Sequence, residues 1–218
     1  MKLKYLGHAC FLATASDGTA AVMDPYRSGA FGNTFRYGPV RVQADVVLTS
    51  HSHDDHGFTG DIQGKPTVIN KPGTHNVKGI EFGGVATFHD TSRGSERGSN
   101  IIFCFAMDGV RICHCGDLGH VLSDAEVKSI GPVDVLLLPV GGFFTVDADA
   151  ATRVMEQLKP KITVPMHYKT PKVDLPIAPV DDFLRDKPNI RRSNSSEVEV
   201  TPQSLPSQPE ILVLPPAL

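Results

Sequence analysis

Short apolar runs, punctuated by glycine, proline and aspartate, fill the first two-thirds of the chain. Residues 3–6, 10–13, 20–23, 45–49, 67–69, 80–88, 100–106 and 110–115 have the length and the β-branched or aromatic content of strands. Asp17-Gly18 and Asp108-Gly109 each sit between two such runs and read as hairpin turns. Residues 133–139 form an apolar run broken only by Asp134, the mark of a strand covered on both faces. Helical periodicity is rarer. Residues 123–130 open on Ser123 with Glu126 three positions later, a capping-box pattern. Residues 147–159 place Ala151, Val154, Met155 and Leu158 on one helical face, and Pro160 ends the run. A weaker helix is expected at 180–186. Many strands with a few interspersed helices predict a layered α+β domain.

The final stretch differs from the rest. Residues 171–218 hold nine of the 17 prolines but no glycine, histidine or cysteine. Chemistry is therefore expected to end by His167. Residues 197–201 and 211–214 still read as strands, so this stretch is expected to pack as an outer strand pair or cap. A chain of 218 residues is expected to be one domain, 1–218, with 171–218 as its proline-rich cap. Hydrophobic residues make up 40% and charged residues 21%, enough for a proper core. A net charge of −3 offers no basic footprint for nucleic acid. Four irregularly spaced cysteines do not make a disulfide framework. Cys113 and Cys115 are expected to share a strand face as free thiols. No signal segment and no run of membrane-spanning length is visible. The expectation is a soluble, reduced, cytoplasmic protein with no membrane partner and an oligomeric state the sequence leaves open.

Nine histidines against no tryptophan is the unusual count. Their focus is His51-Ser52-His53-Asp54-Asp55-His56, directly after the strand at 45–49. In an extended segment His51 and His53 point the same way and can offer two imidazoles to one cation. Asp55 and His56 follow as the chain turns and could face a neighbouring cation. Further ligands are expected at other strand ends, where loops are held by a rigid scaffold. His89, Asp117 and His167 all occupy such positions.

The segment 51–56 matches the HxHxDH motif of the metallo-β-lactamase superfamily. Asp24 in Met23-Asp24-Pro25 matches its structural aspartate, and His89, Asp117 and His167 follow in the order of its later motifs. Gly7-His8 extends the likeness to the N-terminus. The chain resembles the small, stand-alone zinc-dependent hydrolases of that superfamily, akin to ascorbate-6-phosphate lactonase. The resemblance implies a four-layer αβ/βα sandwich with metals at one edge. It implies that His51, His53 and His89 bind one metal, that Asp55, His56 and His167 bind a second, and that Asp117 bridges them. His75, in a turn-rich context, is a rival to His89 and is expected at a surface turn.

Two divalent cations ~3.5–4 Å apart can hold a hydroxide nucleophile and polarise a substrate oxygen. They outweigh two aspartates and a hydroxide by one formal positive charge, which favours a small anionic substrate. Nitrogen and oxygen ligands suit zinc and admit manganese or iron. The expected activity is hydrolysis of an ester, lactone or phosphoester, with Asp55 among the catalytic residues. The alternatives are an iron-dependent thiol or sulfur oxygenase on the same fold and, less favoured, a nuclease. His120, three residues past Asp117, could protonate a leaving group or could be structural. His8 could line the substrate pocket, and Arg93 and Arg97 could clamp a phosphate or carboxylate. His114, between two cysteines, reads as structural. Residues 25–42, rich in aromatics and glycine, are either a lid or irregular surface.

Overall fold

The structure is a computed structural model that describes residues 1–218. The first five strands are β1 (Lys2–Gly7), β2 (Cys10–Thr14), β3 (Ala20–Met23), β4 (Val46–Leu48) and β5 (Thr67–Ile69). A single turn of helix, α1 (Ala30–Asn33), lies between β3 and β4. Next come β6 (Gly73–Val77), β7 (Ile80–Phe88), β8 (Ser99–Met107) and β9 (Val110–His114). Helix α2 (Asp124–Ile130), strand β10 (Val135–Pro139), helix α3 (Ala148–Leu158) and strand β11 (Ile162–Met166) follow in alternation. The chain closes with α4 (Val180–Leu184), β12 (Ile190–Arg192), β13 (Glu197–Glu199) and β14 (Glu210–Val213).

Two mixed sheets result. One is ordered β13-β1-β2-β3-β4-β5, the other β12-β14-β11-β10-β9-β8-β7-β6. Their inner faces share a core that includes Leu3, Tyr5, Phe11, Met23, Leu48, Phe103 and Ile112. Helices α2 and α3 lie against β7 and β10, and Ala151, Val154 and Leu158 are buried as the helical period predicts. β10 is buried at all five positions, in keeping with its unbroken apolar sequence. This is the expected α+β sandwich.

The opposite outer face is covered mainly by irregular chain. Tyr26, Phe35 and Tyr37 from residues 25–42, with Val173 and Ile177, pack on Leu6, Val22 and Val47. The 25–42 segment therefore packs on the sheet through Tyr26, Phe35, Tyr37 and Val40, while residues 27–29 and Gly32 are exposed and Phe31 is half exposed at 50%.

The C-terminal stretch departs from the expected strand pair. β13 pairs antiparallel with β1, whereas β14 pairs parallel with β11, so the two runs extend different sheets. Two strands have weak sequence signals. β6 follows Pro72 and buries no residue fully, and β12 is exposed at all three positions. Both are sheet edges, where one row of backbone groups and little apolar surface suffice. His75 lies within β6, not at a turn, with Nε2 3.0 Å from the Lys71 carbonyl.

No helix among the described residues is long and apolar enough to cross a membrane.

The capping box at α2 forms as its spacing predicts. Ser123 Oγ accepts the Glu126 N–H at 3.3 Å, and the Ser123 N–H donates to Glu126 Oε2 at 2.7 Å. Replacing Ser123 with Ala is expected to lower stability by about 1 kcal/mol while leaving metal content unchanged. A urea melt paired with elemental analysis checks both halves of that expectation.

Candidate metal centre

Strand direction concentrates the polar residues. β1, β3 and β4 run the same way in the first sheet, as do β7, β9 and β11 in the second. Each delivers its next residues to one shared edge: His8 after β1, Asp24 after β3, Ser50 to His56 after β4, His89 after β7, Asp117 after β9 and His167 after β11. Ligands gathering beyond the carboxyl ends of strands is a general property of sheets built this way.

The edge is buried and crowded. His8, Asp24, Asp55, His56, His89, Asp117 and His167 are all buried. Three groups of possible ligand atoms lie within 4.8 Å of one another: His51, His53 and His89; His8, Asp55, His56 and His167; and His51, His56 and Asp117. Asp117 stands between the others. Its Oδ2 is 3.1 Å from His89 Nε2 and 3.8 Å from His51 Nε2, while its Oδ1 is 3.0 Å from His56 Nε2 and 3.4 Å from His167 Nε2.

Much of this polarity is unsatisfied. Buried side-chain atoms without a hydrogen bond are His8 Nδ1, Asp55 Oδ1, His56 Nε2, His89 Nδ1, Asp117 Oδ1 and His167 Nδ1, and among the described residues only Gln157 Oε1 is orphaned elsewhere. Each such atom costs about 1–3 kcal/mol. The close approach of His56 Nε2 to Asp117 Oδ1 lacks hydrogen-bonding geometry. A cation shared among nitrogen and carboxylate donors would satisfy several of these atoms together, so the donor set fits a metal.

A second layer sets the orientation. Asp24 accepts the Ser50 N–H and Oγ–H, both at 2.7 Å, and faces His56 Nδ1 at 2.7 Å. An ionised carboxylate only accepts, so Nδ1 carries the proton and Nε2 is turned toward Asp117 and Asp55. Burial alone would lower the His56 pKa, but Asp117, Asp55 and Asp24 outweigh it and raise it well above the ordinary value. The same negative field attracts a metal cation. Burial pushes His51 the other way, to about 3, aided by the neighbouring His56 and opposed by Asp117 and Asp24. His51 is thus a neutral imidazole with lone-pair electrons to donate. Asn100 supports Asp117 by accepting its N–H at 2.9 Å and donating to the Cys115 carbonyl at 3.0 Å. Gly116 between them has φ +54°, and a Cβ there would collide with Asn100 Oδ1 and Ser50.

Three further residues here adopt left-handed backbone without being glycine: His8 (φ 57°), Asp24 (φ 45°) and His167 (φ 51°). Such conformations are sparsely populated and cluster at functional sites. The His167 N–H donates to the His8 carbonyl at 2.9 Å, which ties the two sheets together at this edge.

The structure brings the seven sequence-predicted metal residues together with His8 and Arg97, and places His120 and Arg93 apart. His8 is fully buried beneath the cluster, not in contact with solvent. Its Nε2 lies 3.2 Å from Asp55 Oδ2 and its ring is 4.0 Å from that of His167. Burial and His167 push its pKa down to about 4 against the pull of Asp55, so the neutral ring donates Nε2–H to that carboxylate. His120 is placed outside the cluster. Its Nε2 accepts the Phe88 N–H at 3.3 Å and its Nδ1 lies 3.0 Å from the Val121 carbonyl. With both nitrogens engaged by main chain, it lines a separate hollow together with Arg93. Arg97 does reach the edge, lining the cleft that contains His53, Asp55, His89, Asp117 and His167. His114 is structural as expected, with Nε2 2.9 Å from the Ala9 carbonyl.

Sequence reasoning missed Ser50, Asn100 and Asp90. Asp90 accepts backbone N–H groups from Ser92, Gly94, Glu96 and Arg97, which folds the loop that carries Arg97. Burial opposes its ionisation, yet those four donors lower its pKa to about 2. An aspartate ahead of a Ser- and Gly-rich loop is the signal that could have found it.

Comparison with known proteins gives the same picture. The model of the β-lactamase superfamily domain matches residues 2–167. A UPF0173 metal-dependent hydrolase of Archaeoglobus fulgidus is 31% identical over 78% of this chain and 84% of its own. One from Carboxydothermus hydrogenoformans is 34% identical over 78% of this chain and 85% of its own. A crystal structure from Thermotoga maritima, described as a candidate Zn-dependent hydrolase of the metallo-β-lactamase superfamily, superposes with a TM-score of 0.82 at 37% identity, covering 98% of this chain and 97% of the other. With its fold, its edge cluster and these relatives in agreement, the chain belongs to the β-lactamase superfamily, among the UPF0173 metal-dependent hydrolases.

Proposed function

We propose that the protein is a dinuclear hydrolase acting on an ester, lactone or phosphoester of a small anionic molecule. One metal is held by His51, His53 and His89, the second by Asp55, His56 and His167, and Asp117 is shared. The observation that carries this reading is the position of the Asp117 carboxylate, whose two oxygens face different histidine groups. When bound, two divalent cations supply a hydroxide nucleophile near neutral pH and polarise the scissile bond. An imidazole and carboxylate donor set suits zinc and also admits manganese or iron.

The chain's own residues then have distinct tasks. Asp24 fixes the His56 tautomer, and His8 holds Asp55 in place by donating to Oδ2. Asp55 brings negative charge that balances the cations. Arg97, at the cleft rim, binds the substrate's anionic group. Hydrolysis breaks the bond between the leaving oxygen and the acyl carbon or phosphorus, adding a hydroxyl to that centre and a proton to the leaving oxygen. His120 and Arg93 are left out of this set because their hollow is a separate one.

The whole chain, 1–218, acts as one domain, its C-terminal strands completing both sheets. The four free thiols fit a reducing cytoplasm. A net charge of −3 supports a small-molecule substrate over a nucleic acid.

Two predictions follow from the ligand and support assignments. His51→Ala and Asp117→Ala should each lose metal and with it hydrolysis across a panel of aryl ester, lactone and aryl phosphodiester. Retention of full metal content by either variant, measured by elemental analysis, contradicts the assignment. Asp24→Asn should keep the fold but weaken metal binding by roughly 10–100-fold, because it disturbs the carboxylate that orients His56. Competition against a chromogenic chelator reads that loss directly.

A further inference from the structure

The cleft above the cluster has two unlike sides. Its volume is about 510 Å³, of the size that holds a small organic ligand. Its floor is the His/Asp edge, one wall is built from Phe31, Phe144 and Leu175, and Arg97 stands at the rim.

Two of the four exposed large hydrophobics, Phe31 and Phe143, lie in or beside that wall. Among the described residues, the large hydrophobics most open to solvent are Phe143 at 63% and Phe31 at 50%. Phe31 lines the cleft, and Phe143 packs edge-on against Phe144 with ring centroids 4.7 Å apart. Both also hold left-handed backbone, Phe31 at φ 55° and Phe143 at φ 61°. That conformation is unfavourable for a bulky side chain, so the fold spends conformational energy to present two phenyl rings to water. Exposed apolar surface rimmed by polar groups marks a binding site.

Arg97 supplies the polar counterpart. Its guanidinium lies 5.8 Å from the Phe144 ring centroid and 3.7 Å from Glu96 Oε2. Ser92 Oγ donates to the other Glu96 oxygen, Oε1, at 2.6 Å, and Glu96 lines the same cleft as Arg97. Arg97 also borders a second hollow of about 520 Å³ that contains Ser52, Asn70 and Ser99. It therefore sits where an anionic group can lie with polar neighbours on one side and an aromatic wall on the other.

We propose that the substrate is an amphiphile, with an aromatic or aliphatic arm against Phe31, Phe144 and Leu175 and a carboxylate or phosphate on Arg97, the scissile bond lying between them over the His/Asp floor. This deepens the hydrolase reading and rests on it. Failure of that reading appears as missing metal or missing hydrolysis, whereas amphiphile affinity is read separately, by calorimetry on the protein as purified.

The probes are 4-phenylbutyrate and 3-phenylpropylphosphonate, with acetate lacking the arm and 4-phenylbutan-1-ol lacking the charge. At least one amphiphilic anion should bind about tenfold or more tightly than both controls, and the stronger of the two names the preferred anion. Phe144→Ala should lower its affinity about tenfold without changing that of acetate. Phe31→Ala, at a half-exposed position, should act in the same direction. Arg97→Gln should weaken the anions about tenfold and leave the alcohol unchanged. No detectable binding of either amphiphile, affinity equal to the controls, or affinity unchanged in all three variants overturns the proposal.

Discussion

Unsatisfied polarity around Asp117 is the constraint that organises this protein. Six buried nitrogen and oxygen atoms lie without hydrogen bonds within one small volume. An arrangement so costly persists only if the surrounding structure holds it firmly and something else compensates it. The rest of the fold can be understood as the means of holding it. Both sheets aim strands at a single edge, Asn100 and Gly116 let Asp117 approach, and Asp24 locks His56. The left-handed backbone at His8, Asp24 and His167 is further strain stored at the same place.

Stability and function are therefore separated in space. The core between the sheets is apolar and continuous, with Leu136, Leu137 and Leu138 fully buried in β10. The helices add burial on the far side of that sheet and carry none of the clustered ligands. The loops at the edge carry the clustered histidines and aspartates, in line with the general division between rigid scaffold and functional loop. The outer face of the six-stranded sheet extends the theme. There an irregular segment does the work of a helix layer while offering Phe31 to the cleft.

Much of this was legible in the residues. The strand runs, the Asp-Gly hairpins, the capping box at Ser123 and the period of α3 all follow from local rules that tertiary packing did not overrule. The His51 to His56 segment announced itself because three imidazoles and two carboxylates rarely crowd together by chance. His89, Asp117 and His167 could be placed by their positions at strand ends. What was not legible depends on three-dimensional contact. β6 and β12 are edge strands with little apolar content, so their pairing carries no sequence period. The burial of His8 depends on the meeting of two sheets, and the anchoring of His120 on the Phe88 N–H 32 residues away. Asn100 looks like any polar residue at a strand start until Asp117 is brought beside it.

The relatives share the fold and the metal-dependent class. The decisive quantity is still the cluster's demand for cations. Calorimetric titration of chelator-stripped protein with Zn²⁺, with the melting temperature followed in parallel, tests it most directly. The account predicts uptake of two equivalents and a melting temperature that rises with occupancy, since a ligand that binds only the folded state stabilises it. No uptake, together with an unchanged melting temperature, would contradict it.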